Sequence, residues 1–315
     1  MLIRDSPLPT QVYDRASDFG PEQGSLYVYG TSVEDRSQHA DGCAVHGTGA
    51  RFCKIVQQEM SEFLYQADGA SGRVSLRSRK QLRDFWLACG RQAAYLDITG
   101  LAHHVWAPLL RVGLSQVDEL KAVYLEPREY RFSATPTEGE IFDLSERVLG
   151  IAPVPGFISL RNGFGDNISF VPLLGFEGAR LKYILENVQP PGGKVVPVVG
   201  LPGFQPEYPF HTYLGNRLVL TETQAWKNVR FALANCPFSA YYTIEDIAAE
   251  RPGDLLKIAP IGTKPHALGA IMYAIGHPND VELVYDHPIR KAKRTEGIGR
   301  LFVYAISGFM KTLPT

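Results

Sequence analysis

The sequence predicts an α/β fold built from two similar Rossmann-like halves with mainly parallel sheets, related by internal duplication. Three observations carry that expectation. First, residues 258–294 read as strand, turn, helix and strand. The apolar run Ile258–Ile261 stops at Gly262-Thr263-Lys264-Pro265, and Ala267, Leu268, Ile271, Met272 and Ile275 then share one helical face. His277-Pro278-Asn279-Asp280 breaks the helix, and Val281–Tyr285 follows as a second buried strand. Second, residues 94–131 repeat this layout: an apolar run ends at Thr99-Gly100, a helix spans about 102–114, and Lys121–Leu125 makes the next strand. Setting Gly100 against Gly262 puts His104 on His266, brings Tyr124 within one position of Tyr285, and matches Glu126-Pro127 with His287-Pro288. Third, a looser echo lies upstream of each unit. A strand runs into a polar turn at Leu26–Arg36, with Glu34 and Arg36, and again at Phe170–Arg180, with Glu177 and Arg180. Long-period repeats of this kind decide the fold when they are present.

Length and composition are compatible with that fold. At 315 residues the chain suits one large or two medium domains, and 45% hydrophobic with 21% charged residues is ordinary for a globular protein. A formal net charge of −1 gives no overall pull towards nucleic acid or an anionic membrane. The first residues lack a basic-then-apolar signal pattern, and no apolar stretch reaches membrane-spanning length. The four cysteines show no paired metal-ligand spacing and no disulfide framework, so the expectation is a reduced, cytoplasmic protein without metal or cofactor.

In chain order, residues 1–24 read as an irregular arm and Leu26–Tyr29 as the first strand. Asp41–Gly49 reads as a loop, 51–65 is compatible with strand or helix, and Arg73–Leu76 reads as a short strand. Ser78–Cys89 reads as a helix capped by Ser78, with Leu82, Phe85, Trp86 and Cys89 on one face. The first half closes at residue 132, and the Pro/Gly-rich stretch 133–156 reads as a linker to a second half at 157–315. That half offers strands at 157–160, 170–174 and 194–199, a helix at 178–188, and a loop or lid at 201–216 rich in proline and aromatic residues. Helices at 223–233 and 239–249 precede the strand–turn–helix–strand unit, and a last strand follows at 301–306.

The polar turns all fall at the carboxyl ends of predicted strands, where open parallel sheets bind ligands. Thr263 and Lys264 at a helix start supply a hydroxyl donor and a point cation for a phosphate or carboxylate. His266 lies in the first helical turn, and Asp286, His287 and Arg290 follow the neighbouring strand, so these six are expected to border one pocket around Gly262. In the first half the corresponding positions are Thr31, Ser32, Glu34, Arg36, Thr99, Gly100 and His104. Glu34 with Arg36, and Glu177 with Arg180, read equally as plain ion pairs or as readers of a ribose or base edge. The basic runs at 73–83 and 290–300 read as solvated surface or as a phosphate-facing rim. Phosphate-loop, dinucleotide, nucleophile-elbow and metalloprotease motifs are missing.

Gly262-Thr263-Lys264-Pro265 opening a helix after a strand, together with the turn Gly30-Thr31-Ser32, resembles the CARF-like Rossmann sensors of prokaryotic anti-phage and CRISPR systems. Two such halves in one chain resemble the SAVED arrangement. The resemblance implies a ligand-sensing or regulatory component that binds a nucleotide-like anion at its βα turns. With no effector domain in view, it also implies output through a homodimer or another defence-system protein. Thr99-Gly100-Leu101-Ala102 departs from the pattern, because the first half lacks the lysine. Two other readings stay open on the residues alone. One is an enzyme acting on a nucleotide or nucleoside with His266, Asp286 and His287 as acid–base groups; the other is a structural subunit of a defence complex.

Overall fold

A computed structural model describes residues 9–45, 49–89, 93–137, 140–159 and 167–313. In chain order the elements begin with β1 (Thr10–Tyr13), β2 (Leu26–Gly30), α1 (His39–Val45), β3 (Arg51–Gln58), β4 (Glu62–Ala67) and β5 (Ala70–Ser75). They continue with α2 (Arg79–Cys89), β6 (Ala93–Asp97), α3 (His103–Gly113) and β7 (Glu119–Tyr130). Four short strands follow: β8 (Phe132–Thr137), β9 (Glu140–Phe142), β10 (Ser145–Val148) and β11 (Ala152–Pro153). Then come β12 (Ile168–Leu173), α4 (Gly178–Val188), β13 (Val198–Gly200), α5 (Tyr208–Glu222), β14 (Arg230–Ala232) and α6 (Pro237–Ala249). The chain ends with β15 (Leu255–Pro260), α7 (Lys264–Gly276), β16 (Val281–Tyr285), β17 (Pro288–Arg290), β18 (Thr295–Tyr304) and α8 (Ile306–Thr312).

The chain is a mixed α/β protein that divides into two compact units. Unit 1 holds the described residues up to Glu129 together with those from Thr295 onward, and unit 2 holds 130–294. This differs from the boundaries 1–132 and 157–315 read from the sequence. The stretch 133–156 is not a linker, because it supplies β8–β11 to unit 2, and the last strand returns to unit 1 by pairing Leu301 with Tyr13.

Unit 1 has one sheet in the order β1-β18-β7-β6-β2-β3-β4-β5. Its centre is parallel: β2 pairs with β3 and β6, and β6 with β7. β4 and β5 extend the sheet as an antiparallel meander, and β1 lies antiparallel to β18. β2 is buried at every position, as a central parallel strand covered on both faces must be. Tyr27 and Tyr95 stack in the core at 6.0 Å, and Phe19 meets Tyr95 edge-on at 5.8 Å.

Unit 2 carries the order β11-β16-β15-β12-β13-β14, with all central pairs parallel and β11 antiparallel at one edge. The strand β12 (ISFVPL) is buried throughout. α7 is buried from Lys264 to Ala274 because the sequence KPHALGAIMYA is apolar on nearly every side, the pattern of an interior helix rather than an amphipathic one. α4 spans the expected residues 178–188, and buries Leu181 and Ile184 against Phe170 and Val199.

Several local expectations fail. Residues 208–222 are a helix, not a lid. The stretch 223–233 holds only a 3-10 turn at Ala225–Asn228 and then the edge strand β14, because Gln224 sits at φ 54° and breaks the helical path. Part of the expected loop 41–49 is α1, and 51–65 resolves into β3 and part of β4. Of the expected strand 194–199 only 198–199 are regular, as the start of β13. His46 and the loop Asn162–Asp166 fall outside the described residues.

Candidate functional site

Each unit has a point where strand order reverses. In unit 2 the chain runs from β12 to β13 and β14 on one side, and from β15 to β16 on the other. In unit 1 it runs from β2 to β3, and from β6 to β7. The crevice of each unit therefore lies outside the carboxyl ends of β12 and β15, or of β2 and β6.

At both points the turns press together backbone to backbone. A Cβ on Gly262 would stand 2.5 Å from the carbonyl oxygen of Leu174, and one on Gly100 would stand 1.7 Å from that of Gly30. No other residue fits at either place. The glycines found by aligning the two stretches are there because strand ends approach, and neither backbone is in the left-handed region.

In unit 2, Thr263 caps α7. Its Oγ1 accepts from the His266 backbone N–H at 3.3 Å and donates to the Ala234 carbonyl at 2.8 Å. The hydroxyl proton expected for an incoming anion is thus given to the protein's own backbone. Lys264 follows at the first helical position, at the positive end of α7, and the residue is only 6% exposed. His266 is fully buried, and its Nε2 lies 3.1 Å from the Leu233 carbonyl, which fixes the neutral Nε2–H tautomer. Burial pushes its pKa down to about 4, against opposing backbone hydrogen bonds at Leu233 and Ala232.

Asp286 directly follows β16, is 0% exposed, and receives two hydrogen bonds from Arg180, Nε to Oδ2 at 2.8 Å and Nη2 to Oδ1 at 2.6 Å. Arg180 Nη1 also donates to the Ile261 carbonyl at 3.3 Å, so one guanidinium ties the ends of β15 and β16 to the start of α4. Desolvation alone would lower the Arg180 pKa, but the hydrogen bond and charge of Asp286 outweigh it and hold the group above its ordinary value. Glu177 lies 3.8 Å from Arg180, and its main partners are the backbone N–H groups of Leu144 and Ser145 at 3.0 and 2.9 Å. His287, at φ 45°, has Nε2 2.9 Å from the Ala152 carbonyl. Burial lowers its pKa, while that carbonyl and Asp286 oppose the shift. Arg290 lies opposite Ser145 in the β10–β17 pair.

The structure thus joins Arg180, Asp286, Glu177 and the Gly262 turn directly. Of the six residues expected around one pocket, four direct their hydrogen bonds apart: Thr263 and His266 towards the 233–234 loop, Asp286 towards Arg180, and His287 towards Ala152. None of the three acid–base candidates is displayed to solvent.

Unit 1 uses similar parts. Glu34 and Arg36 are 2% and 3% exposed, with Arg36 Nε donating to Glu34 Oε2 at 2.6 Å and Nη1 donating to the Leu125 carbonyl at the carboxyl end of the sheet. The Arg36 guanidinium lies 5.4 Å from the Tyr124 ring centroid, and that of Arg180 lies 5.9 Å from Tyr285. Thr99 Oγ1 accepts from Leu125 N at 2.9 Å, and the Thr99 N–H donates to Asp97. Ser32 forms a closed turn with Ser37, Thr31 is half-buried, and His104 is buried at the start of α3. Of the two basic runs, Arg300 pairs with Glu126, Lys291 with Asp143 and Arg73 with Glu62, so part of that charge is locally neutralised.

A feature without a sequence signal is an open groove of about 750 Å³ in unit 1, bordered by Arg15, Asp18, Phe19, His39, Arg128 and Gly299. Its charges come from the segment read as an irregular arm and from strand ends far apart in sequence. Among the described residues no group of three or more His, Cys, Asp or Glu could hold a metal ion, and no helix is long and apolar enough to cross a membrane. Comparison with family models and with curated proteins gave no match.

Proposed function

We propose that the protein is a ligand-sensing or regulatory component of a prokaryotic anti-phage defence system that binds a nucleotide-like anion at the βα turn after β15, without turning it over. The observation that carries the binding part is Lys264: a lysine buried at the first position of α7, at the carboxyl end of a central parallel strand and beside the point where strand order reverses. The defence context follows from the resemblance of the Gly262 and Gly30 turns to CARF-like and SAVED-like sensors. The preference for sensing over catalysis follows from burial. A general acid or base must reach substrate protons, and His266, Asp286 and His287 are each enclosed and hydrogen-bonded to the fold.

The two units are, in the same proposal, products of duplication. Support comes from the strand orders β7-β6-β2-β3 and β16-β15-β12-β13, from Gly100 and Gly262 at equivalent closures, and from an arginine over a tyrosine in each.

The test is a nucleotide and cyclic-oligonucleotide panel followed by thermal shift, calorimetry and product analysis. A ligand that raises Tm and is recovered intact supports the sensor. Lys264→Ala should weaken its binding by about ten- to a hundredfold, the worth of one charge-assisted hydrogen bond to a phosphate. Recovery of hydrolysed product in proportion to protein refutes the non-catalytic reading, and affinity unchanged in Lys264→Ala refutes the site.

A further inference from the structure

α5 shows a face that a single chain leaves uncovered. Among the described residues, seven of the fifteen exposed large apolar side chains fall between 201 and 233. Surface apolar residues are ordinary when scattered singly, and a row of them along one helix is not. Three of them, Phe210, Leu214 and Leu218, are 74%, 42% and 53% exposed and repeat every four residues along α5. At about 100° per residue they form one stripe, and the exposed Glu207 and Arg217 fall within the same arc of roughly 100°. The opposite side of the helix, with Thr212, Asn216, Val219 and Leu220, is buried in unit 2. The stripe sits on a firm base: Tyr208 and His211 pack with Phe142 and Phe176, whose rings stack at 4.5 Å.

We propose that this face pairs with α5 of a second copy of the chain, antiparallel, about a two-fold axis level with residue 212. The charges select that occupant. Glu207 and Arg217 stand five residues to either side of 212, on the same face and about 15 Å apart along the axis. A two-fold at that level sets Glu207 of each copy against Arg217 of the other, and Phe210 of each against Leu214 of the other. Leu218 then meets the exposed Pro206. The face matches itself in its apolar and charged positions, which is what an isologous contact requires: an apolar centre with a charged rim. The inference is independent of what ligand the Gly262 turn binds.

Sedimentation and light scattering of the full chain over a concentration series test it. The wild type should be a dimer that dissociates on dilution. Leu214→Glu should be monomeric at concentrations where the wild type is dimeric. Glu207→Arg and Arg217→Glu should each raise the dimer Kd by about tenfold or more, because each turns two attractions into two repulsions, and the double variant should regain wild-type affinity. All these positions are exposed, so circular dichroism and Tm should stay close to wild type. If Leu214→Glu lowers Tm, Leu218→Lys serves in its place. A wild type that stays monomeric throughout overturns the proposal, and so does a dimer indifferent to Leu214→Glu or Leu218→Lys. Charge reversals that weaken the dimer without recovery in the double variant overturn the antiparallel pairing.

Discussion

Replacing Arg180 by methionine removes the cation that both oxygens of Asp286 face inside unit 2. The side chains of the pair are 12% and 0% exposed, and their two hydrogen bonds measure 2.6 and 2.8 Å. Without the guanidinium, the Asp286 carboxylate keeps its burial and loses its counter-charge, while the Ile261 carbonyl loses a donor. Breaking a buried pair from one side costs about 3–5 kcal/mol. The slight exposure of Arg180 lets water approach the vacated place, which puts the expectation near 3 kcal/mol. For a domain of this size that corresponds to a fall in Tm of about 6–12 °C. Guanidinium unfolding followed by fluorescence measures the free energy, and scanning calorimetry separates the transition of unit 2. The double variant Arg180→Met/Asp286→Leu should recover most of the loss, because the desolvated charge is then gone from both sides. A loss below about 1 kcal/mol in the single variant, or a double variant as unstable as the sum of the two, would refute the account of this pair as a buried clamp.

Three further expectations follow from particular contacts. Gly100→Ala should destabilise unit 1 more than Gly262→Ala destabilises unit 2, each by about 1–3 kcal/mol or more, because the added methyl meets a carbonyl oxygen at 1.7 Å in one case and 2.5 Å in the other; thermal melts of the two variants check the order. His266 gives a pH dependence of known sign. Its folded pKa of about 4 lies below the unfolded value near 6.5, so the unfolded chain binds the extra proton, and stability present at neutral pH is lost as pH falls from about 6.5 through 4. The loss should approach about 3 kcal/mol, and unfolding profiles of His266→Asn should lack that component. Arg36→Met should destabilise unit 1 through Glu34 as Arg180→Met does unit 2 through Asp286, and equal stability of Arg36→Met and wild type in urea would count against equivalent roles.

How far the sequence could be read depended on where each signal was stored. α4, α6 and α7 were legible because runs of apolar residues end at clear punctuation, as with Thr263 before α7 and Pro190 after α4. α5 was not legible. Pro206 and Pro209 at its start resemble a loop, and apolar residues on both the buried side (Val219, Leu220) and the exposed side (Phe210, Leu214, Leu218) erase the period that marks an amphipathic helix. The feature that hid the helix is the one that proposes its partner. β18 could be seen as a strand, but its place beside β1 rests on pairing Thr10 with Tyr304, and no local pattern encodes such a distance in sequence. The glycines and charged residues of the turns were found by spacing. The Glu34–Arg36 ion pair was one of the two readings left open, but the closure of strand ends at the glycines and the pairing of Arg180 with Asp286 were not found, because the same types at the same spacing serve a ligand or the fold equally well.

That last ambiguity bears on where an anion can be held. The carboxyl ends of parallel strands leave carbonyl groups facing the crevice, and a bare crevice must satisfy them with water or ligand. Here the protein satisfies some of them itself: Arg180 donates to Ile261 in unit 2, and Arg36 to Leu125 in unit 1, each neutralised by its own carboxylate. An anion arriving in unit 2 therefore meets an arginine whose charge Asp286 already balances, and in the proposed reading the positive end of α7, where Lys264 stands, supplies the attraction. The roles are separable. Arg180→Met should lower stability with little change in anion affinity measured well below its Tm, whereas Lys264→Ala should lower affinity even when that affinity is measured well below the variant's own Tm. If both variants lose affinity equally, Arg180 is a ligand contact and its pairing with Asp286 is only the resting arrangement of that contact.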